Sequence, residues 1–258
     1  MLTDIYTLMD QLKWRHARES VDELLRRAQK EKPSYSAFLL DLLRREHDGQ
    51  RNRAIANRLR RSGLREFWTL ESYPFHIQTG VNKREILELA ELDFISRGES
   101  VVLMGPAAVG KSGIASALVL KALYAGHRAQ AIKTPDLFDA FKASHADHST
   151  HALLRRLARL DVLLIDEFGY LNPDSQPIND FFRLMDERCN QKSTIITTNL
   201  GYDEWGKFLG NDAMVAALLS RLLQTCRTIT FAKNSVNLRN PKFALPARST
   251  KPDILNTR

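Results

Sequence analysis

The chain has 258 residues with 38 Lys and Arg against 30 Asp and Glu, a formal net charge of +8, which points to a polyanionic partner. A hydrophobic content of 43% and a charged content of 26% are ordinary for a globular chain and argue against wholesale disorder. Apolar runs as short as Val162 to Ile165 cannot cross a bilayer, the first ten residues do not read as a secretory leader, and Cys189 and Cys226 have no second pair for a zinc site, so a cytoplasmic chain with reduced thiols and no membrane partner is expected.

From Asp4 to about Glu31, Ile5, Leu8, Met9, Leu12, Val21, Leu24, Leu25 and Ala28 recur at three- and four-residue spacing, predicting an amphipathic helix. Pro33 and Ser34 punctuate it. Ser34 or Ser36 suits the cap of a second helix carrying Phe38, Leu39, Leu42 and Leu43. Between Arg44 and Arg65 the arginines 44, 45, 51, 53, 58, 60, 61 and 65 face only Glu46 and Asp48, with Ile55, Leu59 and Leu64 as a sparse apolar stripe. This predicts a helix with one basic face. Solvation and internal salt bridges are the plain reading of such a run, but an excess made wholly of arginine favours contact with a nucleic-acid backbone. The candidates are Arg51, Arg53, Arg58, Arg60 and Arg61, followed later in the chain by Lys133, Lys142, Arg155 and Arg156.

The aromatic, proline-bearing stretch Phe67 to Phe75 reads as a linker that packs onto the next domain. It divides the chain into a helical, Arg-rich domain at 1–70 for DNA or a partner, a second domain at 71–245 and a frayed tail at 246–258. Asn82 suits the cap of a helix through Ile86, Leu89, Ala90 and Ile95 that ends at Gly98.

Val101 to Met104 then forms an apolar strand that breaks into Gly105, Pro106, Ala107, Ala108, Val109, Gly110, Lys111, Ser112 and Gly113. The pattern G-x-x-x-x-G-K-S is a phosphate-binding loop: backbone N–H groups cradle phosphates, Lys111 reaches the outer phosphates and the Ser112 hydroxyl holds Mg²⁺. Chance alone produces it in about one chain of this length in a hundred. Ala129 to Lys133 predicts a short strand, and Thr134-Pro135-Asp136 opens a helix with its proline in the first turn. His145, His148 and His151 do not share a helical face, so a polar loop or helix end is expected there and not a metal site.

Leu160 to Glu167 is a continuous apolar strand ending in two acids, the pattern of a strand buried on both faces in a parallel sheet with its ligand edge at the C-terminal end. Either acid alone could cap a helix or face solvent. Beside the loop, Asp166 would hold Mg²⁺ and Glu167 would polarise the attacking water. Phe181 to Cys189 predicts a helix, Ser193 to Asn199 a strand with Thr198 and Asn199 beside the phosphates, Met214 to Thr225 a helix and Arg227 to Phe231 a last strand. The fold class is α/β, a doubly wound parallel sheet preceded by a small all-helical domain.

Gly105-Pro106 through Gly110-Lys111-Ser112, Ile165-Asp166-Glu167, Thr197-Thr198-Asn199 and Leu219-Ser220-Arg221-Leu222 together resemble Walker A, Walker B, sensor 1 and the Ser-Arg box of the initiator and loader group of AAA+ ATPases. Within that group the chain is most similar to the IstB helper ATPases of bacterial insertion sequences, with DnaC loaders as near kin. The likeness runs from Tyr35-Ser-Ala-Phe-Leu39 through Asp203-Glu-Trp205 to the final strand. It implies ATP and Mg²⁺ as cofactors, a homo-oligomeric ring, spiral or filament, duplex DNA that is bent, and an IstA-like transposase as partner. It also implies that Asn199 places the attacking water and that Arg221 acts in trans as an arginine finger, whereas Arg221 read by itself is equally a helix-surface ion-pair partner. Ala107-Ala108 stands where relatives often carry another glycine, no C-terminal lid follows Arg221, and no sensor-2 arginine is assignable. Two other readings stay open: a DnaC-type helicase loader, and an architectural DNA-binding protein that uses ATP only for assembly.

Overall fold

The computed structural model describes residues 2–169 and 175–240, so the expected tail at 246–258 lies outside the described residues. The described residues divide into two compact units, 2–57 and 58–240.

The first unit is helical. Helix α1 (Leu2–Gln11) and helix α2 (Arg15–Glu31) replace the single helix that the periodicity predicts. The break is at Lys13, whose φ of 59° no helix accommodates. Helix α3 (Tyr35–Arg61) starts where expected, with Ser34 Oγ accepting from Ala37 N at 3.2 Å. Met9, Ala17, Val21, Leu24 and Leu42 make the small core. The buried Glu46 of α3 supplies what α2 lacks, because its Oε2 accepts from Ala17 N at 2.8 Å and places a carboxylate on the open amides of the first turn of α2.

A single basic face on α3 is not what forms. At 3.6 residues per turn Arg44, Arg51 and Arg58 fall on one line, while Arg53 and Arg60 fall on roughly the opposite side. The buried positions change sides as well, from Leu42 and Glu46 in the first half to Ile55 and Leu59 in the second.

The second unit holds a five-stranded, wholly parallel sheet. Asn82 caps α4 (Lys83–Leu89) by accepting from Arg84 N at 3.0 Å. The chain breaks at Leu92, which has φ 67°, before the short α5 (Asp93–Ser96), so the one helix expected to Gly98 is two. Then follow β1 (Ser100–Met104), α6 (Lys111–Tyr124), β2 (Ala129–Lys133), α7 (Thr134–Ala146), α8 (Thr150–Ala158), β3 (Val162–Phe168), α9 (Ser175–Arg188), β4 (Ser193–Thr198), α10 (Trp205–Leu209), α11 (Asp212–Leu222) and β5 (Cys226–Thr230). The strand order is β2-β3-β4-β1-β5. Parallel crossovers are right-handed, so the connection from β1 leftward to β2 carries α6 on one face, and the three rightward connections carry α7 to α11 on the other. The large core on that second face joins Phe138, Phe141, Phe168, Phe181, Leu184 and Trp205. This is the doubly wound sheet expected, and among the described residues no helix follows β5.

Buried Arg188, at the end of α9, ties the far end of this layer together. Its guanidinium donates to the carbonyls of Leu157 at 2.7 Å and Leu160 at 2.9 Å and to Thr194 Oγ1 at 2.9 Å, which satisfies the open C-terminus of α8 with a positive charge.

Candidate nucleotide site

The site is built where β1, β3 and β4 end side by side. Glycine at 110 is required by a φ of 96° and by crowding, since a Cβ there would meet the Tyr73 hydroxyl at 2.6 Å. The chain then enters α6, aiming the first-turn amides into a cavity of about 960 Å³ lined by Ala107, Ala108, Gly110, Lys111, Ser112 and Gly113. Ala108 takes a φ of 61°, the left-handed conformation in which a glycine would be unstrained. Its carbonyl accepts from Leu238 N at 2.9 Å, while the Val109 carbonyl accepts from Tyr73 Oη at 3.1 Å and Gln78 Nε2 at 2.9 Å. The stretch expected to pack onto the second domain does so through Tyr73.

The two acids of β3 sit on a β-bulge. Ile165 pairs with Ile196 and Phe168 with Thr198, so Asp166 and Glu167 together oppose the single residue Thr197. Thr197 Oγ1 fastens the bulge: it accepts from Glu167 N at 3.0 Å and donates to Asp166 Oδ1. Glu167 itself has φ 59°. The bulge lets both carboxylates reach the same cavity, which strict alternation along a strand would forbid. Ser112 Oγ donates to Asp166 Oδ1 at 2.8 Å, so a hydroxyl and a carboxylate from different elements meet at the mouth of the loop. These are hard oxygen donors of the kind Mg²⁺ takes while keeping most of its waters, and the pair fits that ion beside bound phosphates.

Lys111 is nearly buried, and its ammonium donates to the carbonyls of Gly105 at 2.7 Å and Pro106 at 2.6 Å. Burial pulls its pKa down to about 8, against the opposing pull of Asp166. Lys133 at the end of β2 pairs in register with Asp166, and its Nζ lies 2.9 Å from both carboxylate oxygens of Glu167.

Several expected site residues stand elsewhere. Asn199 is exposed one residue beyond β4 and does not line the cavity. Arg221 lies in the last turn of α11, also outside the cavity, and pairs with Asp186 on α9. Two cations read as DNA-tracking have other work: Lys133 holds Glu167, and half-buried Arg58 donates through Nε to Leu123 O at 2.9 Å near the end of α6. Arg51, Arg53, Arg60, Arg61 and Lys142 are exposed. Arg155 and Arg156 are exposed on α8 and, with Arg128 and Arg159, surround a shallow hollow at the N-terminal ends of β2 and β3, the sheet edge opposite the cavity. His145 Nε2 lies 2.6 Å from Asp180 Oδ2, and among the described residues no His, Cys, Asp and Glu cluster that could hold a metal is found.

The cavity also has walls that sequence reasoning missed. Gly63, Leu64, Arg65, Glu66 and Trp68 form one wall, and Leu238 and Arg239 contribute to another. Ser62 O accepts from Ala131 N at 2.6 Å on the outer edge of β2, and glycine at 63 lets the chain pass, since a Cβ there would meet Ala131 O at 2.3 Å. The φ-permissive glycine was the available signal, but it lay in a stretch read as helix and linker.

Sheet order, loop and bulge define the class: a P-loop domain of the AAA+ fold. That fold is shared with solved structures of the DnaC helicase loader (TM-score 0.50, 19% identity, covering 58% of this chain and 90% of that one) and of the replication initiator DnaA bound to AMPPCP and single-stranded DNA (0.54, 19%, 65% and 50%). The chain belongs to the family of IstB-like ATP binding proteins, whose family model matches residues 7–244. It is 33% identical to a protein of Pseudomonas aeruginosa described as an insertion sequence IS21 ATP-binding protein, over 93% of this chain and 91% of that one. An IS21-like relative from Bacteroides fragilis is 29% identical over 93% and 91%. No helix among the described residues is long and apolar enough to cross a membrane.

Proposed function

We propose that this chain is an ATPase that assembles on duplex DNA, bends it and assists the transposase of an insertion sequence. The observation that carries the catalytic half is the bulge at Asp166 and Glu167, which brings a metal-type oxygen pair and a separate carboxylate to one phosphate-binding loop. The insertion-sequence names of the relatives support the biological half.

ATP is the substrate. The amides of the loop 107–113 and the Lys111 ammonium bind its phosphates, with Lys111 exchanging the two carbonyls it now holds for phosphate oxygens. Ser112 and Asp166 would hold Mg²⁺, which when bound offsets the charge of the phosphates. Glu167 accepts the proton of the attacking water. To do so it must leave Lys133, whose ammonium holds both of its carboxylate oxygens. Asn199, exposed one residue beyond β4, orients that water once its side chain turns into the cavity. Arg221 serves the site of a neighbouring copy, which requires its surface pair with Asp186 to open, a small cost for groups this exposed. Residues 1–70 and the cations Arg51, Arg53, Arg60, Arg61, Lys142, Arg155 and Arg156 supply contacts to the DNA backbone, so affinity falls steeply with salt and target choice is loose.

The test is direct imaging of the full chain with ATP and duplex DNA. Continuous assemblies that bend the duplex are expected. Open rings seated on a replicative helicase would replace this reading with a loader, and DNA-bound assemblies that release no phosphate would leave an architectural protein.

A further inference from the structure

One carbonyl of the phosphate-binding loop is held from behind by two buried side chains. Val109 O accepts from Tyr73 Oη at 3.1 Å and from Gln78 Nε2 at 2.9 Å, and neither Tyr73 nor Gln78 lines the cavity. Both donors are themselves fixed. Tyr73 is buried with its ring centroid 4.7 Å from that of Phe75, and burial pushes its pKa far above the ordinary phenol value, so the hydroxyl keeps the proton it donates. Gln78 is 1% exposed and fully engaged: Nε2 also donates to Val236 O at 2.8 Å, while Oε1 accepts from Gly80 N at 3.3 Å and Val236 N at 3.2 Å. Two backbone N–H groups on Oε1 settle which end of the carboxamide is the amine, and that end faces Val109.

A trans peptide unit is planar, and its C=O and N–H point in opposite directions. Tying Val109 O behind the loop therefore turns the N–H of Gly110 the other way, and Gly110 lines the cavity. That N–H donates to no acceptor among the described residues, which suits it to an oxygen of a bound anion. Gly110 cannot hold this orientation alone. At a φ of 96° it has the conformational freedom the crowded turn demands, and the same freedom lets the peptide plane before it rotate unless something outside the loop fixes it.

We infer that Tyr73 and Gln78 are positioning residues for nucleotide binding: by clamping Val109 O from behind, they aim the Gly110 N–H at the phosphates. This rests on the reading of the cavity as an ATP site. Neither side chain touches the nucleotide, and both act through the peptide plane they hold. The amides of such a loop serve the inner phosphates, which ATP and ADP share, so the clamp contributes equally to both.

Calorimetric titration of the full chain with MgATP, and separately with MgADP, in the absence of DNA tests it. Tyr73→Phe removes one hydroxyl and keeps the ring. It weakens ATP and ADP by the same factor of about five, with the stoichiometry unchanged and the nucleotide-free melting temperature within a few degrees of the wild type. Gln78→Met removes the other donor and acts in the same direction. The two substitutions together weaken binding by more than the product of their separate effects, because each single variant leaves Val109 O one donor and the double variant leaves none. A role confined to folding would instead lower the stoichiometry and the melting temperature while the remaining sites bind as tightly as the wild type. That result, or unchanged affinity in Tyr73→Phe while Lys111→Ala abolishes binding, overturns the inference and leaves the cavity reading intact. If Gln78→Met does not fold, Tyr73→Phe decides by itself. A wild-type chain that takes neither nucleotide overturns the cavity reading.

Discussion

Two non-glycine residues at positive φ, Ala108 and Glu167, frame the site, and they differ in what their strain accomplishes. At Glu167 the bulge turns a second carboxylate into the cavity. At Ala108 the methyl group does nothing visible for the phosphate loop, so Ala108→Gly should stabilise the chain by up to about 1 kcal/mol, read as a rise of a few degrees in melting temperature, without loss of ATP binding. Lys133 sets the readiness of Glu167. With both carboxylate oxygens held by Lys133, Glu167 must give up that contact before it can take a water, so on the proposed reading Lys133→Gln should raise phosphate release in the absence of DNA several-fold while leaving ATP affinity unchanged. Asp166 and Glu167 were legible because a continuous apolar run delivers them to a strand end. The bulge was not, since it arises from the hydroxyl of Thr197, which stands 31 residues beyond Asp166 and reads locally as one more β-branched strand residue. Trp68 and Arg239 were hidden for the same reason: contacts such as Gln78 to Val236 span 158 residues and leave no local periodicity.

Among the elements, local chemistry predicted those it controls. Asn82 capped α4, Pro135 opened α7, and β2 ran over the residues read for it, Ala129 to Lys133. Periodicity failed where a turn interrupts it without changing composition, at Lys13 and Leu92, and where a helix changes its buried side, as α3 does. The far end of the sheet depends on tertiary charge. Replacing Arg188 with Met removes the guanidinium from the carbonyls of Leu157 and Leu160 and from Thr194 Oγ1, and a loss of about 3 kcal/mol or more in chemical denaturation is expected. Asp161, at the entry to β3, accepts from Arg128 and Lys192. Burial pushes its pKa up, but those hydrogen bonds outweigh it and hold the carboxyl well below its ordinary value. Its contribution is therefore present above about pH 4 and is lost as pH falls toward the depressed folded value. Asp161→Asn should cost about 1–2 kcal/mol near neutral pH, with the gap to the wild type closing in acid.

For the whole molecule, the proposed function divides ATP hydrolysis between two copies. Loop and acids would belong to one, and Arg221, which lies outside the cavity of its own chain, would serve the next. Such a head-to-tail contact builds a ring, a spiral or a filament according to its rotation, in keeping with assembly along DNA. Glu167→Gln and Arg221→Ala should each lower phosphate release at least a hundredfold by removing different halves of the same composite site. The decisive measurement is the activity of the two variants mixed in equal amounts with ATP and duplex DNA. A chain carrying Arg221→Ala keeps Glu167 and can borrow Arg221 from a neighbour carrying Glu167→Gln, so about a quarter of the sites should regain function. Recovery to tens of per cent of wild-type phosphate release is the predicted result, and a mixture no more active than the average of its two components would contradict the shared site.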